Sequence, residues 1–258
     1  DGVGRMIVQN FAGVGIDGTN ATIIGTEPGA FIADRNGICR VWMDHGVWPF
    51  LTTKLYIDQT GDLDVLLESA PYFKDGQNFR GMVKDGLWKQ EVLQKTASGA
   101  VYSGTLLEHI LLETLCAVRE TGAHGHIRLR GADWNDALDM AEEHGESVAF
   151  TCAYAGNLDE LAGLLCVLAG RGVREVELLE DLGLLLEEEN RLAEFLRFCA
   201  HSVSGNKCRF DTLALAAALQ AIAGRICAHN RETDGHPGAT SGWVTRYYEK
   251  PRKQGEGN

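Results

Sequence analysis

The chain has 258 residues, 45% hydrophobic and 23% charged, the balance of an ordinary globular protein and not of a disordered tail, a collagen or a disulfide miniprotein. Lys and Arg number 24 against 36 Asp and Glu, a formal net charge of −12. So acidic a chain has little long-range attraction for phosphate backbones or anionic lipid, which argues against nucleic-acid and membrane partners.

Residues 1–40 have short apolar runs broken by Gly, with no lasting period of 3.6, and read as loops and short strands. From Val47 the pattern turns helical: Trp48, Leu51 and Leu55 lead to a stop at Gly61. Residues 63–69 read as a second short helix with Asp62 as N-cap, and 76–99 as a long polar connection. A helix is expected over 105–121, where Leu107, Leu111, Thr114, Leu115 and Val118 share a face. Residues 124–140 form another Gly-punctuated loop, and Glu146 opens a helix to Gly170 that is apolar on most sides. Its apolar core, residues 161–169, is read as shorter than the roughly 20 residues that span a bilayer. A long amphipathic helix is expected over 176–200, with an acidic face of Glu177, Glu180, Asp181, Glu187 and Glu188. Residues 211–230 read as a last buried helix, capped by Asp211.

Seven Cys without any CxxC spacing read as free thiols of a reducing compartment, so a cytoplasmic location is expected and a zinc site is not. The chain starts at Asp1 without a signal-peptide pattern and ends in a polar tail, so both ends are expected to be cuts.

Chemistry concentrates in three stretches. Residues 130–139 pack Asp133, Asp136 and Asp139 around Trp134 and Asn135. Carboxylates beside an indole suit sugars: the ring stacks on an apolar sugar face and lowers local polarity, which raises a carboxyl pKa toward a general-acid value. The same residues would also serve as a solvated helix start capped by Asp133 or Asn135. A calcium loop fails, because Leu138 and His144 stand where Gly and Glu are needed. The second stretch, residues 40–48, again combines a cation, Trp and Asp: Arg40, Trp42, Asp44, His45 and Trp48; alone it is a weak signal, which a salt bridge of Arg40 with Asp44 and two core indoles would also explain. In the third, Glu146 follows His144 and suits either capping or substrate contact. His109, His201 and His229 read as structural, and His124 and His126 as candidates to line a pocket.

Asp133-Trp134-Asn135-Asp136 after a Gly-rich loop, followed by Gly145-Glu146-Ser147-Val148, resembles the signature of glycoside hydrolase family 94, the inverting β-glycoside phosphorylases. Asp44-His45-Gly46-Val47-Trp48 stands in the place of that family's Asp-Asp-x-x-Trp segment, and Thr60-Gly61-Asp62 resembles its next helix end. The order and spacing of the four segments agree, and their details lean toward the 1,2-β-oligoglucan branch.

The resemblance implies an all-α fold, part of an (α/α)6 barrel with long loops. Residues 1–258 would then be one partial catalytic domain, irregular over 1–40 and mainly helical over 41–258. It implies Asp136 as general acid and Arg40, Asp44 and Trp134 at the sugar, with His45, Asp133 and Glu146 as further substrate contacts. His45 stands where the family has a second Asp, which leaves open which of the pair touches the sugar. A phosphorylase needs no carboxylate base, because inorganic phosphate is the nucleophile, and no metal or organic cofactor. The partners implied are a β-glucooligosaccharide and phosphate. The family's phosphate ligands follow the segment that resembles 242–248, so they are expected beyond residue 258, and this chain alone is expected not to turn over. The competing readings are an inverting hydrolase and a non-catalytic sugar-binding portion of a cyclic β-1,2-glucan synthase-like protein.

Overall fold

The structure, a computed structural model, describes residues 2–32, 41, 43–130, 144–234, 247–249 and 252–254. Its larger elements are helices: α1 (Gly2–Phe11), α2 (Trp48–Thr60), α3 (Leu106–Arg119), α4 (Val148–Gly170), the short α5 (Gly183–Leu186) and α6 (Leu192–Phe198), and α7 (Thr212–Asp234). Short antiparallel pairings stitch the connections: β1 (Ile23–Ile24) with β2 (Phe31–Ile32), β3 (Ser69–Pro71) with β6 (Ser103–Thr105), and β4 (Gln77–Asn78) with β5 (Val83–Lys84). Strands β7 (Ile127–Arg128), β8 (Glu146–Ser147), β11 (Tyr247–Glu249) and β12 (Arg252–Gln254) form one small sheet, and β9 (Glu175–Leu179) pairs with β10 (Lys207–Asp211). The fold is mostly α, as the periodicity implies.

Local chemistry accounts for the long helices. Thr105 caps α3 by accepting from Glu108 N at 3.1 Å, Ser147 caps α4 from Phe150 N at 3.2 Å, and Asp211 caps α7 from Ala214 N at 2.8 Å. Gly61 ends α2 in the left-handed region (φ 73°), its N–H bonded to Ile57 O at 2.7 Å. Helix α3 is buried from Leu106 to Val118 without a break, so it runs through the core. Its polar residues must therefore find partners inside. The Glu108 carboxylate accepts from Tyr72 Oη (2.8 Å), Tyr102 Oη (2.9 Å) and Leu179 N (2.6 Å). His109 stacks on Tyr72 with ring centroids 3.7 Å apart.

Several expectations are corrected. Residues 2–11 are helical, not irregular. Gly4, Ile7 and Phe11 form the buried stripe, and Gly4 is needed for close approach, since a Cβ there would lie 2.6 Å from Tyr56 Oη. In α2 the buried face is Phe50, Thr53, Tyr56 and Ile57, while Trp48, Leu51 and Leu55 are exposed. Asp62 caps nothing; it accepts from Tyr56 Oη at 2.7 Å, and residues Leu63–Leu67 make only a 3-10 turn. Glu146 lies in a strand, and the helix starts two residues later. The expected helix over 176–200 is strand β9, a 3-10 turn and the short α5 and α6. Exposed Glu175 and Glu177 alternate with buried Val176 and Leu178, a period of two that β10 completes by pairing.

The apolar stretch 161–169 belongs to a longer helix. By length and composition alone, Val148–Gly170 and Thr212–Thr233 would each cross a bilayer, though half of the first window and a third of the second are buried within the protein. The two helices pack along each other.

Candidate functional site

Residues 43–47 form a turn that leads into α2, and α4 holds it from the side. Tyr154 Oη donates to Met43 O at 2.5 Å, and Asn157 Nδ2 donates to Val47 O at 3.2 Å. Val47 N closes the turn on Asp44 O at 3.0 Å. Gly46 is required by proximity, because a Cβ would lie 2.6 Å from Tyr154 Oη. This frame fixes a buried Asp44 (5% exposed). One carboxylate oxygen, Oδ2, accepts from Trp48 Nε1 at 3.3 Å. The other, Oδ1, is buried and has no hydrogen-bond partner among the described residues. His45 beside it is half-buried; burial lowers its pKa, and the Asp44 carboxylate works in the opposite direction.

A second carboxylate lies near this turn. Glu113 of α3 is buried, and a Cβ on Gly46 would lie 3.5 Å from Glu113 Cβ. Its Oε1 accepts from Asn20 Nδ2 at 2.6 Å, and its Oε2 has no partner among the described residues. Burial pushes the Glu113 carboxyl well above the usual carboxylate range. Between α1 and the start of α2 opens a cavity of about 300 Å³, lined by Asn10, Phe11, Asn20, His45, Trp48 and Thr52 among others.

The segment that contains the Asp-rich stretch leaves and rejoins the described protein at two well-tied points. At one, Arg130 has φ 55°, unusual for a residue with a side chain. Its Nε lies 3.1 Å from Glu120 Oε1, and its Nη2 donates to Arg80 O at 2.7 Å. Glu120 Oε2 also accepts from the buried Arg80 Nε at 2.6 Å. Burial opposes the Arg80 charge more than any other single cause, but Glu120, with Cys116 and Asp17 beside it, shifts the guanidinium upward on balance. At the other point Leu129 N donates to Gly145 O at 2.8 Å. The buried Glu146 carboxylate accepts from His124 N (3.1 Å to each oxygen) and His126 N (2.9 Å), with His124 Nδ1 2.8 Å from Oε1. Gly122 makes room for it, since a Cβ there would run into Glu146 Cδ. His229 Nε2 reaches His124 O at 2.7 Å, so that nitrogen carries the hydrogen.

The structure thus brings Asp44 and His45 together beside a cavity. Glu146 lies elsewhere, its carboxylate engaged by the 122–126 turn. Arg40, Asp133, Trp134 and Asp136 lie outside the described residues. Among the described residues, no group of three or more His, Cys, Asp or Glu is arranged to hold a metal ion. The sequence reading missed Asn20, Glu113, Tyr154 and Asn157. Glu113 carried a signal, a carboxylate inside the apolar run 110–115.

No protein-family profile matches the chain. Over 118 residues, 44% of this chain and 4% of the relative, it is 27% identical to the cyclic beta-(1,2)-glucan synthase NdvB of Rhizobium meliloti (strain 1021). Over 126 residues, 48% of this chain and 13% of the relative, it is 27% identical to the solabiose phosphorylase of Paenibacillus borealis. The chain therefore spans only a small part of the relatives it matches. Both are carbohydrate-active proteins, one a phosphorylase and the other a β-glucan synthase.

Proposed function

We propose that the chain is the sugar-recognising part of a glycoside phosphorylase of the family 94 type, within an (α/α)6 barrel. The reaction is the reversible, inverting phosphorolysis of β-glucosides, foremost β-1,2-glucooligosaccharides, to α-glucose 1-phosphate. The observation that carries this reading is Asp44. A buried carboxylate oxygen without a partner costs about 1–3 kcal/mol unless something fills it, and a sugar hydroxyl is the neutral donor that would. The likeness to a phosphorylase and to a β-glucan synthase supports the same substrate class.

Asp136 acts as the acid and protonates the leaving glycosidic oxygen. Phosphate attacks the anomeric carbon from the opposite face as that C–O bond breaks, which inverts the centre, and Asp136 regains its proton from solvent. Arg40, Asp44, His45, Asp133, Trp134 and Glu146 serve sugar binding and the support of the site. The tie of Arg130 to Glu120 and Arg80 supports this reading, because it fixes the residue just before the segment that carries the acid. The test is phosphate-dependent release of α-glucose 1-phosphate by the full-length enzyme. Asp136→Asn should lower kcat about 10²–10⁴-fold, and undiminished activity overturns the acid assignment. The likeness to the NdvB synthase favours a second reading, a sugar-binding portion without turnover of its own. It predicts oligoglucan binding that phosphate leaves unchanged and no glucose 1-phosphate.

A further inference from the structure

The cavity between α1 and α2 has features that set it apart from a packing fault. At about 300 Å³ it falls at the lower end of the roughly 300–1,000 Å³ of ligand pockets, room for one small ring and not for a chain. Among the described residues its polar lining is Asn10, Asn20, Thr52, Thr53 and His45, with no Asp, Glu, Lys or Arg, although the chain carries a net charge of −12. A second cavity of about 310 Å³ is instead lined by Arg5, Asp62, Asp64 and Glu68. Among the described residues of the first, a charged ligand would find no fixed countercharge, and an apolar one would strand two amides.

Two of the lining groups are pre-oriented. Glu113 Oε1 accepts from Asn20 Nδ2 at 2.6 Å, which sets the amide with its nitrogen toward the core. That leaves Asn20 Oδ1 as an acceptor and the second N–H as a donor, a pair that matches adjacent hydroxyls. Trp48 is 55% exposed, and its indole N–H is engaged by the buried Asp44. That bond restrains the ring while more than half of the side chain stays exposed at the cavity. Leu51 and Leu55, exposed on the same helix, do not line the cavity.

We infer that this cavity binds one neutral pyranose ring, which stacks on Trp48 and presents its hydroxyls to Asn20. The inference rests on the sugar reading proposed above but not on Asp136 or on turnover. It makes Asn20, oriented by Glu113, a specificity residue on an element that the sequence motifs do not include.

The test is a ¹H–¹⁵N NMR titration of the intact 258-residue chain with methyl β-D-glucopyranoside, and with glucose 6-phosphate as the charged counterpart. The neutral glycoside should shift the Trp48 indole and the Asn20 side-chain amide, and the phosphate ester should bind more weakly. Trp48→Ala and Asn20→Ala should each weaken binding about tenfold or more, whereas Trp48→Phe, which keeps a stacking face, should retain most of it. Both residues are partly exposed, so the variants should fold, which unchanged spectra elsewhere would verify. Glycoside binding that Asn20→Ala and Trp48→Ala leave unchanged, but Asp44→Asn abolishes, overturns this inference and spares the sugar reading. No binding of any glycoside by the wild type overturns both. Equal or tighter binding of the phosphate ester overturns the neutral-ligand assignment.

Discussion

The clamp that α4 places on the 43–47 turn can be tested by removing one oxygen. Tyr154→Phe deletes the hydroxyl that donates to Met43 O; Tyr154 is 2% and Met43 1% exposed, so no solvent replaces it. The loss is a net hydrogen bond of about 1 kcal/mol plus part of the cost of a stranded buried carbonyl, together about 2 kcal/mol. With an unfolding entropy near 2.1 cal/mol/K per residue, this lowers Tm by about 4 °C in a 258-residue chain. The turn also sets Asp44, so affinity for a β-glucoside should fall severalfold in the same variant. Thr105→Ala is the control: it removes the α3 cap at a cost of about 1 kcal/mol, away from the turn. Thermal unfolding by circular dichroism and calorimetric titration read the two effects. An unchanged Tm would show that the bond contributes nothing. A lowered Tm with affinity no worse than the control's would refute the claim that this clamp positions Asp44.

Two further predictions concern the core. Burial lowers the His109 pKa from 6.5 to about 4, against the raising effect of Thr105 O and Pro71 O. Between those values the unfolded chain binds a proton that the folded protein refuses, so stability should be lost as pH falls from 6.5 toward 4, by up to about 3 kcal/mol. Urea midpoints across that range should flatten in His109→Gln, and an equally steep profile in the variant would exclude His109 as the cause. Glu120→Ala leaves the 2% exposed Arg80 without its carboxylate and should cost about 3 kcal/mol or more by urea unfolding. A cost below about 1 kcal/mol would mean that water or another group neutralises the guanidinium.

The parts of the fold legible in the sequence were those with local causes. Helices α3, α4 and α7 announce themselves by apolar period, and Asp211 by its place at the start of α7; the Thr105 and Ser147 caps emerge only in the structure. Helix α1 was hidden because its glycines read as turn formers, whereas Gly4 serves a contact with Tyr56, far along the chain. Strand β9 was hidden because Glu and Leu at that density also fit an amphipathic helix, and the partner that decides the matter, β10, lies some thirty residues on. The candidate site divides in the same way. Asp44 and His45 stood out as a cluster of local residue types. Asn20 and Glu113 did not, because 93 positions separate them and only the tertiary fold joins them.

The most direct test of the sugar reading is calorimetric titration of a β-1,2-linked glucobiose into the wild-type chain and into Asp44→Asn. The substitution keeps the shape of the side chain but places an amide donor at one carboxylate position, so Tm should change little. The wild type is predicted to bind, and the variant to bind about tenfold or more weakly, because a hydroxyl donor would lose its acceptor. Equal affinity of the two proteins, or no binding by the wild type, would contradict the account.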